Sequence, residues 1–331
     1  MNILIVTDAW HPQVNGVVRS IELTADELRT MGHRVEIISP QPFRTVPLPT
    51  YPEIRLALLP GRRLARMIDR AGAESIHIAT EGPLGHAARR YCLKRELPFT
   101  TAYHTRFPEY VRDRVPVPLA LSYAVVRHFH RPATAMMVAT ATIERELVAR
   151  GFTNIRRWSR GVDTDLFRPR DKGFLDLPRP IMLCVGRVAV EKNLEAFLSL
   201  DVPGTKLVVG DGPQRAELER RFPATRFVGA KVGEELARYY AAADVFVFPS
   251  RTDTFGLVLL EALAAGVPVA AYPVAGPLDV VGGSDVACLD QDLGQAVRTA
   301  QTIPGSRCRD FALGFSWRAS AEQFLANLAV I

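Results

Sequence analysis

Short apolar runs alternate with amphipathic stretches along the first half of the chain. Ile3–Val6 reads as a strand, and Val18–Met31, with Ile21, Leu23 and Leu28, reads as a helix that Gly32 stops. Val35–Ile38, Ile76–Ala79, Phe99–Ala102 and Met136–Ala139 continue the strand series. This β-α-β alternation predicts a parallel sheet covered by helices. Pro47–Pro60, rich in Pro and Leu, predicts an extended surface loop. The pattern restarts after Arg168–Gly173, which is polar, contains Pro and Gly, and reads as a linker. Ile181–Val185 is then a strand, Leu194–Leu200 a helix and Lys206–Val209 a strand. Arg226–Val228, Val245–Phe248 and Val267–Ala271 extend the series. Trp317–Leu328 is an amphipathic helix carrying Phe324, Leu325 and Leu328. The expectation is an α/β chain of two Rossmann-like domains, 1–170 and 171–312, followed by a closing helix in 313–331.

Length agrees with two domains, because 331 residues exceed the roughly 250–300 at which a single core stops growing. No apolar run approaches the ~18 residues of a membrane span, and the N-terminus enters a strand without a basic leader, which predicts no signal peptide. Cys92, Cys184, Cys288 and Cys308 are scattered without metal-ligand spacing, as expected for a reducing cytoplasm. The net charge of +6 is uneven. Residues 1–170 hold 25 Lys and Arg against 16 Asp and Glu (+9), and residues 171–331 hold 16 against 19 (−3). One half therefore meets an anionic partner and the other does not.

The most informative segment is Pro249–Ala262. An apolar strand runs into a short polar loop and then a helix, and ligands of open α/β sheets bind at such strand ends. The first helical turn is expected to offer unpaired amides from about Thr254 to Leu257, an anion site, with Gly256 allowing close approach. Glu261 lies one turn past Leu257, among Leu259, Leu260, Ala262 and Leu263, where a charge is costly without a partner. A carboxylate there suits two ribose hydroxyls.

Cys184–Asn193 also joins a strand to a helix. Arg187 offers a planar fork and Lys192 a point charge, a pair able to neutralise a diphosphate. Asp8–Arg19 places Asn15-Gly16 at a helix start, either an ordinary turn or a close backbone approach to a phosphate or sugar. His104 stands just past a strand in Tyr103-His104-Thr105. Gly210-Asp211-Gly212 is no dinucleotide fingerprint, since position 215 is Arg where a third Gly is required. The acidic pairs Asp163/Asp165 and Asp290/Asp292 lack a metal-site context, and no metal is assigned.

These segments resemble glycosyltransferase family 4 over nearly the whole chain. The strongest element is the pair Asp253 and Glu261 with seven residues between them. Asn15–Arg19, Tyr103–Thr105, Arg160–Pro169, Gly186–Asn193 and Gly210–Pro213 support it in order and spacing. The resemblance leans towards bacterial lipid-modifying members, the sulfoquinovosyl-diacylglycerol synthase and mannosyltransferase groups. It implies a retaining enzyme of GT-B fold, with two Rossmann-like domains facing across a cleft. By resemblance, residues 1–170 bind the acceptor and 171–312 the nucleotide sugar, and the helix near Trp317 crosses back to the first domain. Arg187, Lys192, His104 and Asp253 are the implied catalytic residues. Gly16, Val17, Gly186, Asp253, Thr254, Phe255, Gly256, Leu257 and Glu261 are the implied donor contacts. One departure is Asp253, where the family more often has Glu.

The implied mechanism is front-face attack, in which the leaving phosphate accepts the acceptor's proton. The residues show no carboxylate clearly placed as a nucleophile. Arg187 and Lys192 would stabilise the leaving diphosphate without a metal. The expected donor is a UDP-sugar ahead of a GDP-sugar, with a glucose-type hexose and no other cofactor. The expected acceptor is a membrane lipid such as diacylglycerol, and no nucleic acid is a partner. An epimerase of the same fold, a soluble-acceptor transferase and a non-catalytic binding module are the alternatives. Leu58–Arg70, with Arg62, Arg63, Arg66 and Arg70, mixes basic and apolar residues at roughly helical spacing, and Val115–Arg131 places Arg127 and Arg131 beside Leu119, Leu121, Tyr123, Val125 and Val126. They predict docking on an anionic membrane surface, the cytoplasmic face of the inner membrane.

Overall fold

The computed structural model describes residues 1–13, 15–48, 51–112 and 116–331. The chain divides into two compact units, Met1–Ser159 with Trp317–Ile331, and Arg160–Ser316. The first unit contains β1 (Asn2–Val6), β2 (Arg34–Ile38), β3 (Thr45–Leu48), β4 (Tyr51–Ala57), β5 (Ser75–Ile78), β6 (Thr100–Tyr103), β7 (Ala135–Val138) and β8 (Ile155–Arg157). Six of these form a sheet ordered β2-β1-β5-β6-β7-β8, with every pair parallel.

The apolar runs fill both faces of this sheet, as a doubly covered parallel sheet requires. Ile3 and Ile5 pack with Ile21, Leu28, Trp158 and Phe324 on one side. Leu4 and Val6 pack with Leu64, Ile68, Leu84 and Phe129 on the other. The helix Trp317–Asn327 belongs to this unit. Its Ser320 Oγ accepts from Trp158 Nε1 at 3.1 Å and donates to the Ser159 carbonyl at 2.8 Å.

At the carboxyl end of β1, Asp8 is only 6% exposed. Its carboxylate accepts from Leu84 N at 2.8 Å, Gly85 N at 3.2 Å and Thr80 Oγ1 at 3.0 Å. It thereby caps the helix Pro83–Lys94, which follows the neighbouring strand β5. Burial pushes its carboxyl pKa upward. A Cβ at Gly82 would stand 2.4 Å from Asp8 Cγ, so glycine is needed there. Asp8→Ala is expected to cost about 1–3 kcal/mol, because two enclosed amides lose their acceptor. Urea denaturation checks this, and an unchanged midpoint contradicts it.

The second unit contains β9 (Ile181–Val185), β10 (Thr205–Val209), β11 (Arg226–Phe227), β12 (Val245–Phe248), β13 (Val269–Ala271) and β14 (Ala287–Leu289). They form a parallel sheet ordered β11-β10-β9-β12-β13-β14. In chain order this is 3-2-1-4-5-6, with its switch point between β9 and β12.

Two expectations need correction. Pro49 and Thr50 of the expected loop Pro47–Pro60 lie outside the described residues, and its flanks are not loop but strand, since β3 and β4 pair antiparallel through Val46 with Leu56 and Pro47 with Arg55. Arg168–Gly173 is not a linker but lies inside the second unit, because its charges find partners there. Arg170 Nη2 contacts Glu234 at 3.0 Å and Lys172 Nζ contacts Asp244 at 2.9 Å. The strands β8 and β14, three residues each, were not foreseen.

Candidate functional site

The loop leaving β9 is gripped from both sides. On the β10 side, Val188 N donates to the Asp211 carbonyl at 2.9 Å and Gln214 N to the Val188 carbonyl at 3.1 Å. A Cβ on Gly210 would lie 1.8 Å from the Gly186 carbonyl oxygen, and one on Gly212 2.4 Å from that of Val188. Gly210-Asp211-Gly212 therefore serves close loop packing. On the β12 side, Asn193 takes a left-handed conformation (φ 52°) and its Nδ2 donates to the Pro249 carbonyl at 3.0 Å. Ser250 and Thr252 hydroxyls donate to the Glu191 carbonyl at 3.3 and 3.4 Å. Half-buried Arg187 and Lys192 thus emerge from a braced loop at the sheet's switch point.

Lys192 Nζ meets Asp253 Oδ1 at 2.5 Å. The second Asp253 oxygen, Oδ2, is enclosed and has no hydrogen-bond partner among the described residues. Behind this loop stands Gly276, where a Cβ would approach the carbonyl oxygens of Phe255 and Asp253 to 2.9 and 3.0 Å. The loop is therefore packed closely against the helix Ala275–Val281. Cys184 lies beneath, and burial pushes its thiol up to about 12, which removes it as a nucleophile near neutral pH.

The helix begins at Leu257, not at Thr254, because Gly256 adopts φ 88° and ψ 72° as its N-cap. The amides of Leu257 and Val258 open the first turn, while Thr254 and Phe255 belong to the loop. Glu261 is buried among leucines and alanines, and its Oε2 accepts from the Tyr240 hydroxyl at 2.8 Å. Tyr240 was not anticipated from the sequence, since a tyrosine inside a helix carries no motif.

The remaining candidates lie in the first unit. Gly16 opens the helix Gly16–Thr30, capped by Asn15, whose Oδ1 accepts from Val17 N at 3.0 Å and Val18 N at 3.1 Å. The Val17 amide is therefore spent on the cap, which removes it as a ready phosphate donor. Val14, in the same segment, lies outside the described residues. His104 follows β6, half-buried, with its ring edge-on to Trp158 at 5.6 Å.

Both rejected acidic pairs are local caps. Asp163 Oδ1 accepts from Asp165 N and Leu166 N, and Asp292 Oδ1 from Gly294 N and Gln295 N.

The arginine helix Gly61–Ala71 places Leu64, Ile68 and Ala71 in the core and Arg62, Arg63, Arg66 and Arg70 in solvent. Its apolar stripe is thus not a membrane-facing surface, because the core already covers it. The apolar exposure lies just before it, at Leu58 (49%) and Leu59 (98%). The helix Leu119–His130 turns Tyr123 and Val126 inward but leaves Leu121 and Val125 exposed. Val115, the start of the basic stretch expected here, lies outside the described residues. Arg127 and Arg131 border a cavity of about 370 Å³ with Gly151–Asn154.

Comparison with known proteins agrees with this architecture. A family model described as Glycosyltransferase Family 4 matches residues 14–166, and one described as Glycosyl transferases group 1 matches 179–301. The GDP-mannose-dependent alpha-mannosyltransferase of Mycobacterium tuberculosis is 32% identical over 308 residues, spanning 85% of this chain and 81% of that protein. The sulfoquinovosyl transferase SQD2 of Arabidopsis thaliana is 32% identical, over 77% of this chain and 56% of that one. The alpha-monoglucosyldiacylglycerol synthase of Streptococcus pneumoniae is 27% identical, over 82% and 71%. Among solved structures, sucrose-phosphate synthase from Thermosynechococcus elongatus superposes with a TM-score of 0.73 at 22% identity, over 98% and 97% of the two chains. Two parallel Rossmann-like sheets of this kind make the fold GT-B. The chain belongs to glycosyltransferase family 4. It is a hexosyltransferase.

Proposed function

We propose that the enzyme is a retaining transferase that moves a hexose from a nucleotide diphosphate sugar to a membrane lipid. The observation that carries the donor reading is the Lys192–Asp253 contact at the switch point between β9 and β12. It sets the Lys192 ammonium, on the same braced loop as Arg187, beside a carboxylate with one uncommitted oxygen. Arg187 and Lys192 bind the diphosphate, and the first-turn amides of Leu257 and Val258 add the positive end of a helix dipole. Asp253 Oδ2 accepts from a sugar hydroxyl, and Glu261 accepts from the ribose. Asp253 is held by Lys192 rather than presented as a nucleophile, which favours front-face attack with the leaving phosphate taking the acceptor proton. Gly16 and His104 are proposed as further contacts to the phosphate and the transferred sugar.

The relatives bear on the donor. Several are named as GDP-mannose-dependent, which moves GDP-mannose ahead of the UDP-glucose expected from sequence. For the acceptor, the name of the streptococcal relative favours diacylglycerol. The test is a donor screen, GDP-mannose and UDP-glucose against diacylglycerol vesicles and soluble sugars, read by mass spectrometry. A mannosyl or glucosyl lipid supports the reading. Rapid transfer to a soluble sugar alone, or release of an epimerised donor, overturns the lipid acceptor.

Membrane contact is a separate expectation. Among the described residues no helix is long and apolar enough to cross a membrane. We place docking on the cytoplasmic face, through Leu58 and Leu59 with Arg62, Arg63 and Arg66 beside them. Each cation near anionic lipid contributes about 1 kcal/mol. Co-sedimentation with anionic vesicles is expected at low salt. It should weaken with salt and drop when Arg62, Arg63 and Arg66 become Ser. A protein that stays in the supernatant at low salt contradicts this.

A further inference from the structure

Glu261 sits on a helix that is otherwise apolar, Leu257–Ala264, and is 6% exposed. An ionised carboxylate there needs defined partners. One is the Tyr240 hydroxyl, donating to Oε2 at 2.8 Å. Tyr240 is fully buried in the helix Gly233–Ala242. Its ring is held edge-on by Phe167 at 5.5 Å and tilted against Phe246 at 5.7 Å. Phe246 belongs to β12, the strand that delivers Asp253, and Phe167 is itself buried. The phenol is thus anchored in the core by aromatic packing, and its single polar atom is aimed at one carboxylate oxygen. A buried tyrosine needs a partner for its hydroxyl, and this one has been given the carboxylate that the donor reading uses.

We propose that Tyr240 is a positioning residue for the donor. It fixes the plane of the Glu261 carboxylate and thereby sets how strongly the site selects ribonucleotides over 2′-deoxyribonucleotides. The proposal rests on the assignment of Glu261 to the ribose. A carboxylate with free rotation would have to be ordered when two ribose hydroxyls bind. One already held by a rigid phenol presents its acceptors in place. Tyr240 touches neither sugar nor phosphate in this scheme and acts only through Glu261.

The experiment compares binding of GDP with 2′-deoxy-GDP, and of UDP with 2′-deoxy-UDP, to full-length protein by calorimetry. The wild type is expected to prefer the ribonucleotide of its own base by roughly 10- to 100-fold, the weight of a hydrogen bond to a charged group. In Glu261→Gln that ratio falls towards one. In Tyr240→Phe, which removes one oxygen and keeps the packing, it falls by about 3- to 10-fold. Donor KM should rise while kcat at saturating donor stays within about twofold. The double variant should match Glu261→Gln alone, since the two residues act in series.

Tyr240→Phe with an unchanged ratio and unchanged donor KM overturns the positioning role and leaves the ribose assignment standing. A wild type that binds both sugars of the pair equally overturns that assignment and the proposal with it. Should Tyr240→Phe fail to fold, Glu261→Asp withdraws the carboxylate from the phenol by one methylene, and full selectivity in that variant overturns the proposal.

Discussion

Arg187→Ala and Lys192→Ala should each lower kcat by about 10²–10³-fold, the loss seen when one preorganised donor is removed from a developing charge. Negative charge gathers on the leaving diphosphate as the glycosidic bond breaks. Cations placed there stabilise the transition state more than bound donor, so kcat should fall further than donor KM rises. The two variants should differ. Lys192 holds Asp253 at 2.5 Å, so its loss also leaves a carboxylate facing the diphosphate unopposed. Lys192→Ala should therefore be the worse of the two, and Lys192→Ala with Asp253→Asn should recover part of that difference. The Arg187 and Lys192 double variant should lose less than the product of the singles, because both act on one diphosphate. Steady-state kinetics with circular dichroism as a fold control reads these outcomes. Wild-type activity abolished by chelator, or variants rescued by Mn2+, would point to a metal in place of the two side chains.

The elements that carry the donor candidates were legible because they are local. A run such as Ile181–Val185 or Val245–Phe248 fills both faces of a parallel sheet, and the structure returns both strands with the expected bounds. The spacing of Asp253 and Glu261 likewise survives, since it depends on one strand, one turn and one helix. What the sequence hid is contact across distance. Tyr240 lies 21 positions from Glu261, and the Asp8 cap reaches 76 positions to Leu84. Neither leaves a periodicity or a spacing to read. The misjudged helix start has a local cause. Gly256 takes a left-handed φ that breaks the helix one residue before Leu257, a freedom that sequence shows only as the presence of glycine. The arginine helix was misjudged for another reason. Amphipathic spacing is the same for a helix lying on lipid and one lying on a sheet, and only the burial of Leu64 and Ile68 distinguishes them.

Asp253→Ala is expected to lower kcat by about 10²–10³-fold with a smaller change in donor KM, as for any contact made mainly in the transition state. Two functions are lost together. The Oδ1 contact that orients Lys192 disappears, and so does the Oδ2 acceptor left for a sugar hydroxyl. Asp253→Glu separates them. It keeps the charge but adds a methylene to a side chain on a closely packed loop. Gly276 closes on the Asp253 and Phe255 carbonyls so tightly that a Cβ would come within 3.0 and 2.9 Å. The longer arm must therefore advance on the sugar. An intermediate loss of about tenfold in kcat follows from such a small misplacement, together with a changed ratio of activity between GDP-mannose and UDP-glucose. Gly276→Ala should give a related defect from the opposite side, since the added methyl pushes the Asp253 loop forward without altering its charge. The measurement is kcat and KM for both donors in all three variants. Asp253→Ala within tenfold of wild type would remove the residue from the chemistry. Asp253→Glu and Gly276→Ala both indistinguishable from wild type would show that the loop has room that this packing denies it.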